Sequence, residues 1–202
     1  MPGWADLLAG PALEVAPRLL GAVLTSCSSE GVVAVRLTEV EAYAGEEDPG
    51  SHAYRGPTRR NEVMFGPPGR VYVYFTYGMH YCMNVVCGPS GKAAAVLLRG
   101  GEVVQGADLA HLRRPRSSAR DLARGPARLC KALGVDSAHN GAQLGDGLLD
   151  LHPAPSPVAA ASVRTGPRVG LRLAADRPWR FWIEGEPSVS AYRPATPRRR
   201  TR

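Results

Sequence analysis

The chain has 202 residues, enough for one domain with its own core and too few for two ordinary ones. With 44 % hydrophobic and 21 % charged residues the composition is that of a globular protein, and no apolar run approaches the ~20 residues that span a bilayer. A formal net charge of +7 points to a polyanionic partner, nucleic acid first, although abundant Ala, Gly and Pro show that composition bias also inflates Arg.

In chain order, Pro11 to Leu24 carries Leu13, Val15, Leu19, Leu20 and Val23 at helical intervals and reads as a first helix. Met1 to Gly10 contains Asp6 and no early basic cluster, so it does not read as a signal peptide and predicts a cytoplasmic protein. Gly31 to Glu41 is β-branched and partly alternating, a strand whose far end delivers Glu39 and Glu41. Residues 44 to 69 are rich in Gly, Pro and charge and read as a long loop that is either functional or disordered. Arg70 to Phe75 and Tyr81 to Cys87 flank Thr76-Tyr77-Gly78-Met79-His80, a hairpin with Gly78 in the turn.

Further along, Ala93 to Leu98 reads as a strand ending on Arg99, and residues 100 to 134 as two or three helical pieces broken by Pro115 and Gly125-Pro126. Val169 to Leu173 and Trp179 to Glu184 read as closing strands. One domain is expected over 1–193, and the Pro/Arg tail 194–202 is expected to be disordered. Cys27, Cys82, Cys87 and Cys130 lack metal-ligand spacing and read as buried free thiols.

Three features carry chemistry. In Glu39-Val40-Glu41 the carboxylates lie two apart and so share a strand face, where they bind a metal, split their pKa values for acid–base work, or sit in solvent. Tyr72 and Tyr74 share a face able to stack on something flat. Tyr77 beside Met79 at the hairpin tip is either a wedge between base steps or a tip packed on its own loop. Arg99 is either exposed or paired with the glutamates, and a pair would hold Glu41 ionised. Apart from Lys92 and Lys131 every basic side chain among Lys and Arg is Arg, leaving few amines for imine chemistry.

The ordered set Glu39-Val40-Glu41-Ala42-Tyr43, His52, Arg60-Asn61, Met64-Phe65, Pro68-Gly69, Tyr72-Val73-Tyr74, Tyr77-Gly78-Met79, Cys82-Met83-Asn84 and Val96-Leu97-Leu98-Arg99 resembles the alkyladenine (3-methyladenine) DNA glycosylases. Arg120-Asp121-Leu122, Gly125-Pro126 to Leu129-Cys130, and Pro167-Arg168-Val169-Gly170 extend the resemblance over nearly the whole chain. It implies a mixed α/β (α+β) single domain on a curved antiparallel sheet, with flanking helices and a protruding hairpin that enters DNA.

The same resemblance implies Glu41 as the carboxylate that deprotonates water and Arg99 as its partner on that water. Tyr77 would fill the hole left by the extruded nucleotide, with Met79 beside it; Tyr43, Tyr74 and His52 would line the base pocket, and Asn84 would obstruct the amine of guanine. The implied partner is double-stranded DNA with damaged purines, acted on by a monomer without metal or cofactor and without a membrane. This sequence departs from the family pattern in His80 at the tip, in Arg128 where a Lys is common, and in a short loop at Arg55 to Arg60. The rival readings are a metal-dependent hydrolase using Glu39, Glu41 and His52, a non-catalytic nucleic-acid-binding module, and a structural protein with a buried aromatic cluster.

Overall fold

A computed structural model describes residues 3–76 and 78–195. Two short helices, α1 (Trp4–Leu8) and α2 (Ala12–Arg18), precede β1 (Val23–Ser28) and the long β2 (Gly31–Tyr43). After a loop with 3-10 turns at Gly45–Glu47 and Glu62–Phe65 come β3 (Val71–Thr76), β4 (His80–Val86) and β5 (Ala95–Gln105). The chain continues with α3 (Ala107–Arg113), β6 (Ala123–Arg124), α4 (Pro126–Leu133), β7 (Leu149–His152), β8 (Val163–Gly166) and β9 (Arg180–Ile183). The strands form one antiparallel sheet in the order β3-β4-β5-β2-β1-β7, with β6 on β5, β9 on β2 and β8 on β9. It is an open α+β sheet with few helices.

The two faces of this sheet have opposite characters. Val33, Val35, Leu37, Val40 and Ala42 of β2, Val71 and Val73 of β3, Met83 and Val85 of β4, and Val96 and Leu98 of β5 join one apolar core. Helices α2 and α4 seal that face through Val15, Ala16, Leu129, Cys130 and Leu133. The alternate residues Glu41, Tyr43, Tyr72, Tyr74, Cys82, Asn84, Leu97 and Arg99 line a cavity on the other face.

A bulge makes this division possible. Strict period-two alternation from Val33, Val35 and Leu37 would aim Glu39 and Glu41 into the apolar core. The register instead runs Leu37↔Gly101, Glu39↔Gly100 and Val40↔Leu98, leaving Thr38 and Arg99 without a partner across the ladder. The extra residue on each strand flips the alternation, so that Val40 and Ala42 resume the core while Glu39, Glu41 and Arg99 turn to the cavity side. The strands approach closely here, since a Cβ on Gly101 would stand 2.4 Å from the Arg36 carbonyl oxygen.

Several expected elements differ. The first helix ends at Arg18, because Val23 and Leu24 find ladder partners in Arg36 and Val35 instead. Arg99 lies within β5 rather than at its end: Gly100-Gly101 permits a close approach rather than stopping the strand, so residues 100–105 are extended and not helical. Val169 to Leu173 is not a strand, since the Val169 N–H is taken by the Glu41 side chain rather than by a ladder. Cys27 is exposed whereas Cys82, Cys87 and Cys130 are buried. Strands β1, β7 and β8 and helix α1 carry signals too short to read locally. Of the expected tail, residues 194–195 are described and 196–202 lie outside the described residues. No described helix is long and apolar enough to cross a membrane.

Candidate active site

The cavity holds about 330 Å³, within the range of small-molecule pockets. Its floor comes from β2, β3, β4 and β5. Gly50, His52 and Met64 from the long loop close one side, and Val169, Gly170 and Leu171 close another. Pro126, the first residue of α4, stands at its rim.

Glu41 is fully buried, with its carboxylate held from three directions. The Val169 N–H donates to Oε1 at 2.7 Å, the Tyr43 hydroxyl donates to Oε2 at 2.9 Å, and Arg99 Nη1 stands 3.4 Å from Oε1. A carboxylate has roughly four lone-pair sites, so room remains to accept from a substrate-side water. Burial above all, and then the adjacent Glu41 charge, push the Tyr43 phenol well above its usual pKa, which keeps it a donor.

Glu39 faces the same side but is consumed by structure. It accepts from Arg99 Nε at 2.9 Å, Arg180 Nε at 2.7 Å, and both the N–H and hydroxyl of Ser190 at 2.6 and 2.9 Å. It is fully buried and absent from the cavity lining. Arg99 is thus gripped by Glu39 through Nε while its other end meets Glu41. Burial alone would weaken its charge, but Glu41 and Glu39 outweigh that and raise its pKa. Among the described residues no three His, Cys, Asp or Glu side chains converge as a metal site, so Glu39, Glu41 and His52 do not assemble as ligands.

The aromatic wall is β3 seen side-on. Tyr72 and Tyr74 lie with ring centroids 5.5 Å apart, and the His52 ring meets Tyr74 edge-on at 4.6 Å. His52 Nδ1 shares a 3.0 Å hydrogen bond with the Tyr72 hydroxyl. Desolvation against these rings, helped by the positive charge of Arg60, lowers the His52 pKa. Asn84 is buried, its amide donates to the Tyr72 carbonyl at 3.2 Å, and it lines the cavity. The structure therefore brings Glu41, Arg99, Tyr43, Tyr74, His52 and Asn84 around one space.

Met79 is not among them; it is 68 % exposed at the hairpin tip, next to His80, which is also exposed. Tyr77 lies outside the described residues. Arg128 is half exposed and shares the Asp121 carboxylate with Arg124, each at 3.4 Å.

Sequence reasoning missed the support behind the site. Arg180 and Ser190, far along the chain, complete the Glu39 cluster, and no local pattern announces them. Arg168 is fully buried, paired with both oxygens of buried Asp48 and stacked on Tyr43. The available signal was Pro167-Arg168-Val169-Gly170, which carries part of the family resemblance but no hint of the burial of Arg168.

The methylpurine-DNA glycosylase family model matches residues 6–187. A Streptomyces avermitilis protein bearing the name "Putative 3-methyladenine DNA glycosylase" is 55 % identical over 200 residues, covering 96 % of this chain and 93 % of its own length. Proteins of the same name from Frankia casuarinae and Leifsonia xyli are 53 % and 56 % identical, covering 98 % and 93 % of this chain and 95 % and 91 % of their own lengths. With the match running through every segment that builds the cavity, the chain belongs to the methylpurine-DNA glycosylase family.

Proposed function

We propose that this DNA repair glycosylase hydrolyses the N-glycosidic bond of alkylated or deaminated purines in double-stranded DNA, with Glu41 activating the water. The observation that carries this reading is the Glu41 carboxylate, buried in an aromatic cavity and fixed by Val169, Tyr43 and Arg99. A base within a duplex cannot reach such a cavity, so the nucleotide must be flipped out, at a cost of a few kcal/mol that is least for damaged bases. Tyr77, with Met79 exposed beside it, would occupy the vacated stack.

In the cavity the damaged purine stacks between Tyr43 and the His52–Tyr74 side. As the C1′–N9 bond breaks, its electron pair departs with the base and positive charge develops on the sugar, which the Glu41 carboxylate stabilises. Water adds to C1′ and passes a proton to Glu41, with Arg99 orienting that water. A 3-methyl or 7-methyl purine is already cationic and leaves as a neutral base, whereas hypoxanthine leaves better if protonated. Asn84, buried in the cavity wall, would obstruct the exocyclic amine of an undamaged guanine. The enzyme acts as a cytoplasmic monomer, with Arg side chains on the DNA phosphates.

The deciding experiment incubates the protein with duplex DNA carrying a single 7-methylguanine or hypoxanthine, in chelator, and measures free base. Release by the parent protein and its loss in Glu41→Gln, with lesion-DNA affinity kept within about tenfold, is the expected result. Retained release in Glu41→Gln would remove Glu41 from the chemistry, and release only with added metal would favour the metal-dependent reading.

A further inference from the structure

We propose that Arg168 is a specificity-determining and positioning residue: a buried cation behind Tyr43 that reduces the enzyme's advantage for positively charged bases over neutral ones. The proposal rests on the glycosylase reading above. Its guanidinium carbon lies 4.6 Å from the centre of the Tyr43 ring and 5.0 Å from that of Trp179, so it is sandwiched by aromatic faces. Tyr43 lines the cavity whereas Arg168 is fully buried and does not, so a base stacked on the open face of the ring would have the cation behind it. Both nitrogens at the fork's end bond the Asp48 carboxylate, and Nη1 also donates to the Ala42 carbonyl at 3.0 Å. The remaining nitrogen, Nε, is buried with no hydrogen-bond partner. A Cβ at Gly50 would lie 2.7 Å from Nη2, so the backbone closes over this group.

Two consequences follow from that placement. The π face of a tyrosine attracts a cation through its quadrupole, and a guanidinium already on one face weakens the attraction available at the other. The Asp48 carboxylate balances the net charge of Arg168, so what remains is the local effect at the ring: the guanidinium occupies one face and weakens the hold of the other on a cationic base, while a neutral purine is unaffected. Arg168 thereby flattens the preference for cationic alkylpurines and leaves neutral lesions competitive. Separately, Arg168 precedes Val169, whose N–H holds Glu41, and it supports the ring whose hydroxyl also holds Glu41. Loss of that second role slows every substrate alike, so the ratio of two substrates isolates the first.

The test measures single-turnover release of 7-methylguanine and of hypoxanthine from matched duplexes at saturating enzyme, for the parent, Arg168→Met and Arg168→Lys. Both rates should fall in Arg168→Met, but the 7-methylguanine to hypoxanthine ratio should rise roughly two- to fivefold. Arg168→Lys, which keeps the charge, should return the ratio toward the parent value. Because Arg168→Met leaves the Asp48 carboxylate without its partner, Arg168→Gln paired with Asp48→Asn is measured beside it; this variant removes both charges, keeps hydrogen-bonding groups, and is expected to raise the ratio in the same direction. An unchanged or lowered ratio in the charge-removed variant overturns the proposal, as does a raised ratio that Arg168→Lys does not restore. Parent protein that releases neither base fails the glycosylase reading itself, and the inference with it.

Discussion

Two glutamates two residues apart have opposite jobs, and the difference is in their partners. Glu41 lines the cavity, while Glu39 neutralises Arg99 and Arg180 out of water. Glu39→Gln leaves two buried guanidiniums short of a counter-charge and is expected to cost about 3–5 kcal/mol of stability in urea denaturation. Glu41→Gln should cost less stability, because Arg99 keeps Glu39 as its counter-charge, and nearly all base release. Equal stability losses would contradict this division. His52 supplies a pH dependence. Its pKa is lowered, so the unfolded chain takes up the proton first as pH drops. The neutral-imidazole contribution is complete above about pH 6.5 and is lost as pH falls through the lower folded value. His52→Asn should therefore flatten the loss of stability between pH 7 and pH 5, and parallel curves for variant and parent would count against it. The same lowering makes His52 a sparse proton donor at pH 7. Should it be the acid for hypoxanthine, that rate must decline with rising pH inside the acid range, whereas 7-methylguanine release rises through one ionisation and levels off.

At the scale of elements, the β2–β5 bulge brings Glu41 and Arg99 of otherwise amphipathic strands to the cavity. A Cβ at Gly101 would stand 2.4 Å from the Arg36 carbonyl oxygen, so Gly101→Ala should force the two strands apart, at about 1–3 kcal/mol by thermal or chemical denaturation. Base release should fall further than stability alone explains, because Arg99 shares the distorted register. A fully stable and active variant would show that the bulge tolerates a wider spacing. The β3–β4 hairpin joins the cavity to an exposed tip. Its base supplies Tyr72, Tyr74, Cys82 and Asn84 to the cavity, and its tip exposes Met79. Tyr77→Ala should weaken lesion-duplex binding by roughly 1–3 kcal/mol, the range for an aromatic stacked on a base. Unchanged binding in a titration would mean that the tip does not enter the stack.

Across the whole molecule, chemistry and charge are separated. The cavity is lined by carboxylate, phenol and guanidinium groups, and among the described residues no lysine lines it. Lys92 and Lys131 are both exposed elsewhere, so the reaction should end at an abasic site with the strand intact. Borohydride trapping of a covalent enzyme–DNA adduct would overturn that expectation. The net charge of +7 is carried almost wholly by Arg, a side chain suited to paired contacts with phosphate.

The sequence by itself determined the sheet-forming runs, the hairpin, the shared face of Glu39 and Glu41 and, through its ordered motifs, the family. These are local: β-branched alternation and turn residues act within a few positions, and a motif is read where it stands. Apart from the family resemblance, nothing local told Glu39 from Glu41, because their surroundings depend on Arg180, Ser190 and Val169, each well over a hundred residues away. The bulge was equally hidden. It arises from how β5 must register against β2 to keep Val40 and Ala42 in the core, and that balance exists only once both strands are paired. Arg168 reads as an ordinary charge until folding buries it between Asp48 and two aromatic rings, where water can no longer screen it.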